Sequence, residues 1–225
     1  LAILIAAGVT IGLNFYSIQK EELETGGANP LPQIVEEKSH IDGAINEVLS
    51  EIYPEDGPGV GAILYKGDEI LYRGGHGLSN LELHIPNKAE TVFRLGSISK
   101  QFTAAGIMLL KEEGKLEIDD PITKFLPTYP TNGHVITIRN LLTHTSGIKN
   151  YTAMQEFQNI VGQEMTVDEM VDFFKNEPIN FVPGEKYSYS NSGYFLLGVI
   201  IEKISGITYE NFIQERIFTY LSLDN

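Results

Sequence analysis

Phe93-Arg94-Leu95-Gly96-Ser97-Ile98-Ser99-Lys100-Gln101-Phe102 is the stretch from which the rest of this chain is read. A glycine closes an apolar run, and a helical pattern opens at Ser97. Phe102, Ala105, Leu109 and Leu110 fall on its inward face, and Gly114 follows as its stop. Lys100 comes three residues after Ser97, a spacing that puts both side chains on one face of a helix. A serine becomes a nucleophile when a neighbouring base takes its proton, and a lysine held close in a dry site can be that base. The free N–H groups and dipole of a helix N-terminus favour negative charge on the serine oxygen and disfavour a charged lysine. Burial would push Lys100 the same way.

The spacing is not unique. Ser17 to Lys20 and Ser146 to Lys149 repeat it. Ser17 trails an apolar N-terminal run, and Ser146 lies in a Thr-Ser-Gly turn with no helical pattern behind it. Only Ser97 opens a helix with an apolar face. On spacing alone, Ser97 reads equally as a helix cap and Lys100 as a solvated charge of the first turn.

Composition narrows the function. The 225 residues suit one large domain or one and a half, and 42% hydrophobic content supports a packed core. A net charge of -14 argues against nucleic acid, whose phosphates need a basic face. It also argues against docking on anionic lipid through charge. No cysteine is present, which excludes disulfides, cysteine zinc sites and a thiol nucleophile. The five histidines form no recognisable ligand pair, so neither a metal nor any other cofactor is expected.

Residues 1–19 are apolar and uncharged through Ile18. Their length lies between a signal-peptide core and a bilayer span. They read as a transmembrane anchor or signal segment, with the rest of the protein outside the cytoplasm. Residues 20–39, with Gly-Gly, Asn-Pro and Leu-Pro, read as a linker, and residues 40–225 as a partial folded domain. The chain does not begin with Met and stops in mid-pattern at Leu223-Asp224-Asn225; both ends read as cropped.

Within the domain, Ile41, Ala44, Ile45, Val48, Leu49 and Ile52 share one helical face ahead of Pro54. Gly59–Tyr65 and Glu69–Arg73 flank a Lys-Gly-Asp turn and predict a β-hairpin. Gly74-Gly75-His76-Gly77 reads as a loop, with no catalytic part for His76. Asp119-Asp120-Pro121 starts a short turn, and Thr137–Leu142 reads as helical. Thr166 with Glu169 forms a capping box for a helix over Val167–Lys175. Tyr187–Asn191 reads as extended, Gly193–Ile204 as an apolar helix stopped by Gly206, and Thr208 as the cap of a last helix through Phe218. A lone hairpin is marginally stable and needs further strands; none is evident downstream.

Three stretches together resemble the serine β-lactamase and penicillin-recognising hydrolases, in particular the class C-like branch with D-alanyl-D-alanine carboxypeptidases and related esterases. They are Phe93–Lys100, Leu141-Leu142-Thr143-His144-Thr145-Ser146-Gly147-Ile148, and Pro183-Gly184-Glu185-Lys186-Tyr187-Ser188-Tyr189-Ser190-Asn191-Ser192-Gly193-Tyr194. The resemblance runs from about residue 40 to the end. It implies an α+β fold of the sandwich type, an antiparallel sheet flanked by helices plus a helical region, with the active site between them. It implies Ser97 as nucleophile, Lys100 as its lysine, and Tyr189 and Asn191 as the Tyr-x-Asn element. A phenol near a cationic lysine can carry protons, and an asparagine amide can hold a substrate amide. The second Tyr-x-Asn, Tyr209-Glu210-Asn211, opens an amphipathic helix, where Tyr209 reads as packing. His144 reads as holding a turn. One element is missing: no lysine or histidine is followed two residues later by glycine. In the family that strand supplies an oxyanion-hole N–H, and losing one such donor typically costs about 10²–10³ in rate.

The expected function is therefore a serine hydrolase working through an acyl-enzyme on an amide, β-lactam or ester carbonyl. Its partner would be a small-molecule, peptide or peptidoglycan-like substrate, with no nucleic acid and membrane contact only through the N-terminal segment. The alternatives are a penicillin- or peptide-binding or sensing homologue that does not turn over, or an inactive truncated fragment.

Overall fold

The chain is described by a computed structural model over residues 2–5 and 31–223, with side chains from His40 onward. It divides into two compact units, Leu1–Leu95 and Gly96–Asn225. Most of the segment read as a membrane anchor or signal, and the front of the linker, lie outside the described residues. Strand β1, Ala2–Ile5, belongs to that apolar segment. Among the described residues no helix is long and apolar enough to cross a membrane.

The first unit is built on the hairpin. Strands β2 (Val60–Lys66) and β3 (Glu69–His76) pair antiparallel from Val60 opposite His76 to Lys66 opposite Glu69, with a bulge at Leu64/Tyr65. Strand β1 adds antiparallel to the other edge of β2. Helix α1, Leu31–Ile52, starts well before His40 and so takes in part of the stretch read as linker. Its Leu49 packs with Val60 and Tyr72, with Ile45, Tyr53, Ala62 and Leu64 around them.

Two expectations change here. β3 runs on through Gly74, Gly75 and His76, which were read as a loop. Those glycines serve close approach rather than a turn: a Cβ at Gly75 would lie 2.7 Å from the Lys88 backbone nitrogen. A further small pair of strands follows, β4 (Leu78–Asn80) with β5 (Ile85–Pro86). They are too short, and in β5 too proline-limited, to carry a period-two signal.

The second unit is helical: α2 (Ser99–Glu112), α3 (Ile138–Leu142), α4 (Phe157–Ile160), α5 (Val167–Lys175), α6 (Asn191–Ser205) and α7 (Tyr209–Ile213), the last running into a π-helical turn over Gln214–Phe218. Helix α6 is the centre. Leu196, Leu197, Ile200 and Ile201 are fully buried against Ile107 and Leu110 of α2, Ile138 and Leu141 of α3, Phe174 of α5 and Phe212 of α7. A helix apolar on most of its faces finds a stable place only when covered by others. The Thr166–Glu169 capping box is present at the start of α5, and a second one, Thr137 with Asn140, starts α3.

Candidate active site

Ser97 stands in a single 3-10 turn, Gly96–Ile98, that leads into α2, rather than at the first position of the α-helix. The Ser99 hydroxyl closes this turn by donating to the Gly96 carbonyl at 2.6 Å. Residues three apart also align in a 3-10 turn, so the pairing read from the spacing survives. Lys100 Nζ donates to Ser97 Oγ at 3.3 Å and to Asn191 Oδ1 at 2.7 Å. Ser97 Oγ and the Tyr189 hydroxyl are 2.7 Å apart. The Lys100 ammonium also lies 4.9 Å from the centre of the Tyr189 ring and 5.6 Å from that of Tyr194. All four residues named from the sequence thus meet, and all four belong to the second unit.

The turn after α3 brings Tyr189 there. His144 and Gly147 adopt left-handed backbone, φ 57° and 74°. A Cβ at Gly147 would fall 2.1 Å from the Phe181 carbonyl oxygen, so only glycine fits. The turn then acts as a template for residues 180–188. The Thr145 carbonyl accepts the Gly184 N–H, the Gly147 carbonyl that of Asn180 and the His144 carbonyl that of Ser188, each at 2.8 Å. His144 Nδ1 accepts the Ser190 N–H at 3.1 Å. Ser190 caps α6, its hydroxyl accepting the Gly193 N–H at 3.3 Å. Asn191 is therefore the first residue of α6, and its position follows from the cap.

Asn191 is clamped further. Its N–H donates to Asn150 Oδ1 at 3.0 Å, and its side-chain Nδ2 donates to Thr152 Oγ1 at 3.0 Å. With Thr152 taking the amide nitrogen, the amide oxygen faces Lys100. Each end of the amide keeps one hydrogen-bonding position for another partner.

Burial pushes the Tyr189 phenol up. Hydrogen bonding with Lys100 and Ser97, together with the Lys100 charge, outweighs it and holds the phenol below the usual tyrosine range. Its neighbours Tyr151 and Tyr194 go the other way, raised first by burial and then by Tyr189. The dry setting expected for Lys100 is not reached here: Ser97 is exposed, Tyr189 is 39% exposed, and Lys100 and Asn191 are half-buried. A cavity of about 370 Å³ opens beside Lys100 and Asn191, walled by Tyr151, Phe195 and Tyr209.

The competing motifs have structural jobs. Ser146 Oγ accepts the Ile148 N–H at 3.2 Å, and Lys149 pairs with Glu177 at 2.7 Å. The Tyr209 hydroxyl bonds Thr103 Oγ1 at 2.6 Å, packing α7 on α2. His76 joins Tyr72 and Asn46 in a polar cluster on α1 and β3. Ser17 and Lys20 lie outside the described residues.

A family model described as beta-lactamase matches residues 50–225. The chain belongs to the beta-lactamase family. It is 41% identical over 175 residues to a penicillin-binding protein of Bacillus subtilis (strain 168), covering 76% of this chain and 38% of that protein. The chain thus spans about two fifths of the length of the curated relatives it matches. The octameric penicillin-binding protein homologue from Pyrococcus abyssi superposes with a TM-score of 0.68 at 35% identity, over 83% of this chain and 43% of that one. A D-stereospecific amidohydrolase from Streptomyces sp. gives 0.70 at 31%, over 81% and 55%. The beta-lactamase-like α+β fold expected from the motifs is borne out.

Sequence reading missed what holds this beta-lactamase-family site in place. Asn150 and Thr152 were not named, although they directly follow the Thr-Ser-Gly turn, where polar residues on a loop were the available signal. His144 was named only as a turn residue; its bond to the residue after Tyr189 has no signature along the chain.

Proposed function

We propose that this chain carries the nucleophile-activating part of a serine hydrolase that acts through an acyl-enzyme on amide, β-lactam or ester carbonyls. The observation that carries the reading is the convergence of Tyr189 and Lys100 on one oxygen, Ser97 Oγ, at 2.7 and 3.3 Å.

The Ser97 hydroxyl passes its proton to the ionised Tyr189 oxygen as Oγ attacks the carbonyl carbon. The carbonyl double bond becomes an oxyanion. When it re-forms, the bond to the leaving nitrogen or oxygen breaks, and the Tyr189 hydroxyl returns the proton to that atom. Water then attacks the Ser97 ester with Tyr189 again taking a proton, and Ser97 leaves with it. Lys100 keeps Tyr189 in reach of its ionised form, Asn191 fixes Lys100, and the free positions of the Asn191 amide suit a substrate amide. A small D-configured peptide or amino-acid amide, a β-lactam or a small ester fits this chemistry. The kinship with a penicillin-binding protein and a D-stereospecific amidohydrolase supports that range. The apolar segment over residues 1–19 supports a place outside the cytoplasm, anchored or exported.

The second reading is a homologue that binds or is acylated without turnover. Incubating the complete protein with a fluorescent penicillin and a fluorophosphonate, then locating the adduct by mass spectrometry, separates the two. A Ser97 adduct that forms and clears supports hydrolysis, and one that persists supports the second reading. A protein that labels equally well as Ser97→Ala would overturn both.

A further inference from the structure

His144 takes no part in the proton transfers above, yet it touches the chain on both sides of Tyr189. Its carbonyl accepts the Ser188 N–H at 2.8 Å and its Nδ1 accepts the Ser190 N–H at 3.1 Å. Its ring lies 4.5 Å from the Tyr189 ring and 5.0 Å from the Tyr194 ring, with Tyr187 edge-on at 5.8 Å. A ring nitrogen that accepts an N–H carries no proton, so the imidazole is neutral with its hydrogen on Nε2. Adding a proton at Nδ1 would set two N–H groups against each other across the Ser190 contact.

The surroundings give a charged ring nothing in return. The charge acting on it is that of Lys100 on α2. The other neighbours, Tyr187 and Tyr189 on the loop and Tyr194 on α6, bring no carboxylate, and the negative charge of an ionised Tyr189 is already taken up by Lys100. Moreover, the Tyr189 and Tyr194 rings already have the Lys100 ammonium beside them. Burial first, and then the Lys100 charge, hold the His144 imidazole below the usual histidine range. The Ser190 N–H donated to Nδ1 adds to this, because an accepting nitrogen cannot keep that bond once protonated.

We propose that neutral His144 is the positioning residue that sets the Tyr189 hydroxyl against Ser97, and that protonating it releases Ser190 and withdraws Tyr189 from the nucleophile. The consequence for activity rests on the reading of Tyr189 as proton carrier; the state of the ring does not.

The test compares the complete protein with His144→Asn. Asparagine tolerates left-handed backbone, offers an amide oxygen to the Ser190 N–H and does not titrate. Two readouts are needed: kcat/KM against pH with p-nitrophenyl acetate, and the ring nitrogen resonances of His144 in the unsubstituted protein. Protonation of Tyr189 lowers kcat/KM in both proteins as pH falls; below the His144 pKa the unsubstituted protein should lose a further factor of about ten per pH unit. His144→Asn should keep activity near neutrality and lack that further loss, and Nδ1 should resonate as an unprotonated nitrogen at neutral pH. The same further loss in His144→Asn, or a proton on Nδ1 at neutral pH, would overturn the proposal. Should the protein neither turn over nor acylate, the hydrolase reading fails alone. The ring spectrum, and whether the Tyr189 signals move as His144 titrates, would still decide for or against His144. These spectra do not depend on the variant folding.

Discussion

The phenolic oxygen of Tyr189 stands 2.7 Å from the hydroxyl oxygen of Ser97, across 92 residues of sequence. No other side chain among the described residues gives Ser97 so short a hydrogen bond; Lys100 is at 3.3 Å. Removing the phenol oxygen should therefore damage catalysis far more than folding. Tyr189→Phe should lower kcat/KM by about 10²–10⁴-fold, the range for losing a positioned acid–base group. Its thermal midpoint should stay close to that of the parent, since the residue is 39% exposed.

Lys100→Met tests the electrostatics of the same pair. Burial raises the Tyr189 phenol, and it is Lys100 together with Ser97 that brings it down. Without the lysine, Tyr189 should ionise at higher pH than in the parent, read from phenolate absorbance with Tyr189→Phe as the blank. The sign for stability follows. A phenol whose folded pKa is lowered contributes stability that is fully present above its unfolded value of about 10 and is lost as pH falls through the folded value. The parent's advantage from this group should thus grow with pH through the alkaline range and be missing in Lys100→Met.

Gly147→Ala should fail for two reasons that add. A non-glycine residue at φ 74° is strained, and the new Cβ would sit 2.1 Å from the Phe181 carbonyl oxygen. The strain alone is of order 1–3 kcal/mol, and relief of the overlap must displace the loop that carries Tyr189. A lowered denaturation midpoint together with lost Ser97 labelling is the expected outcome. Unchanged labelling would show that the turn is not the template for that loop.

Thr152→Val removes the acceptor that fixes the Asn191 amide, at nearly constant volume. The net cost of one such hydrogen bond is about 0.5–1.5 kcal/mol, and the amide becomes free to turn its nitrogen toward Lys100. The acylation rate should drop by up to about tenfold, the kinetic equivalent of about 1.4 kcal/mol, with folding little changed. Stopped-flow labelling with a fluorescent penicillin reads it.

Tyr189 and Asn191 were implied only by the family resemblance of the stretch that carries them, whereas Ser97 and Lys100 were legible because they share one turn. The α5 capping box and the β2–β3 hairpin were legible for the same reason, their partners lying within a few residues. Asn150, Thr152 and the ring of His144 were not. Their bonds to Asn191 and Ser190 span 41, 39 and 46 residues, and no periodicity records a contact of that range.

Short-range chemistry therefore settled much of this protein before any folding is considered. The α5 cap, the hairpin turn, the serine–lysine spacing and the acidic composition all follow from neighbouring residues and from composition. Tertiary structure alone decided that Ser97 sits in a 3-10 turn ahead of its helix, that Gly74 and Gly75 stay in a strand, and that the Thr143–Ile148 turn is the bed on which Tyr189 lies. The strand over Gly74 and Gly75 and the bed under Tyr189 depend on backbone atoms from distant parts of a unit meeting at hydrogen-bonding distance, and that geometry exists only once the chain has packed.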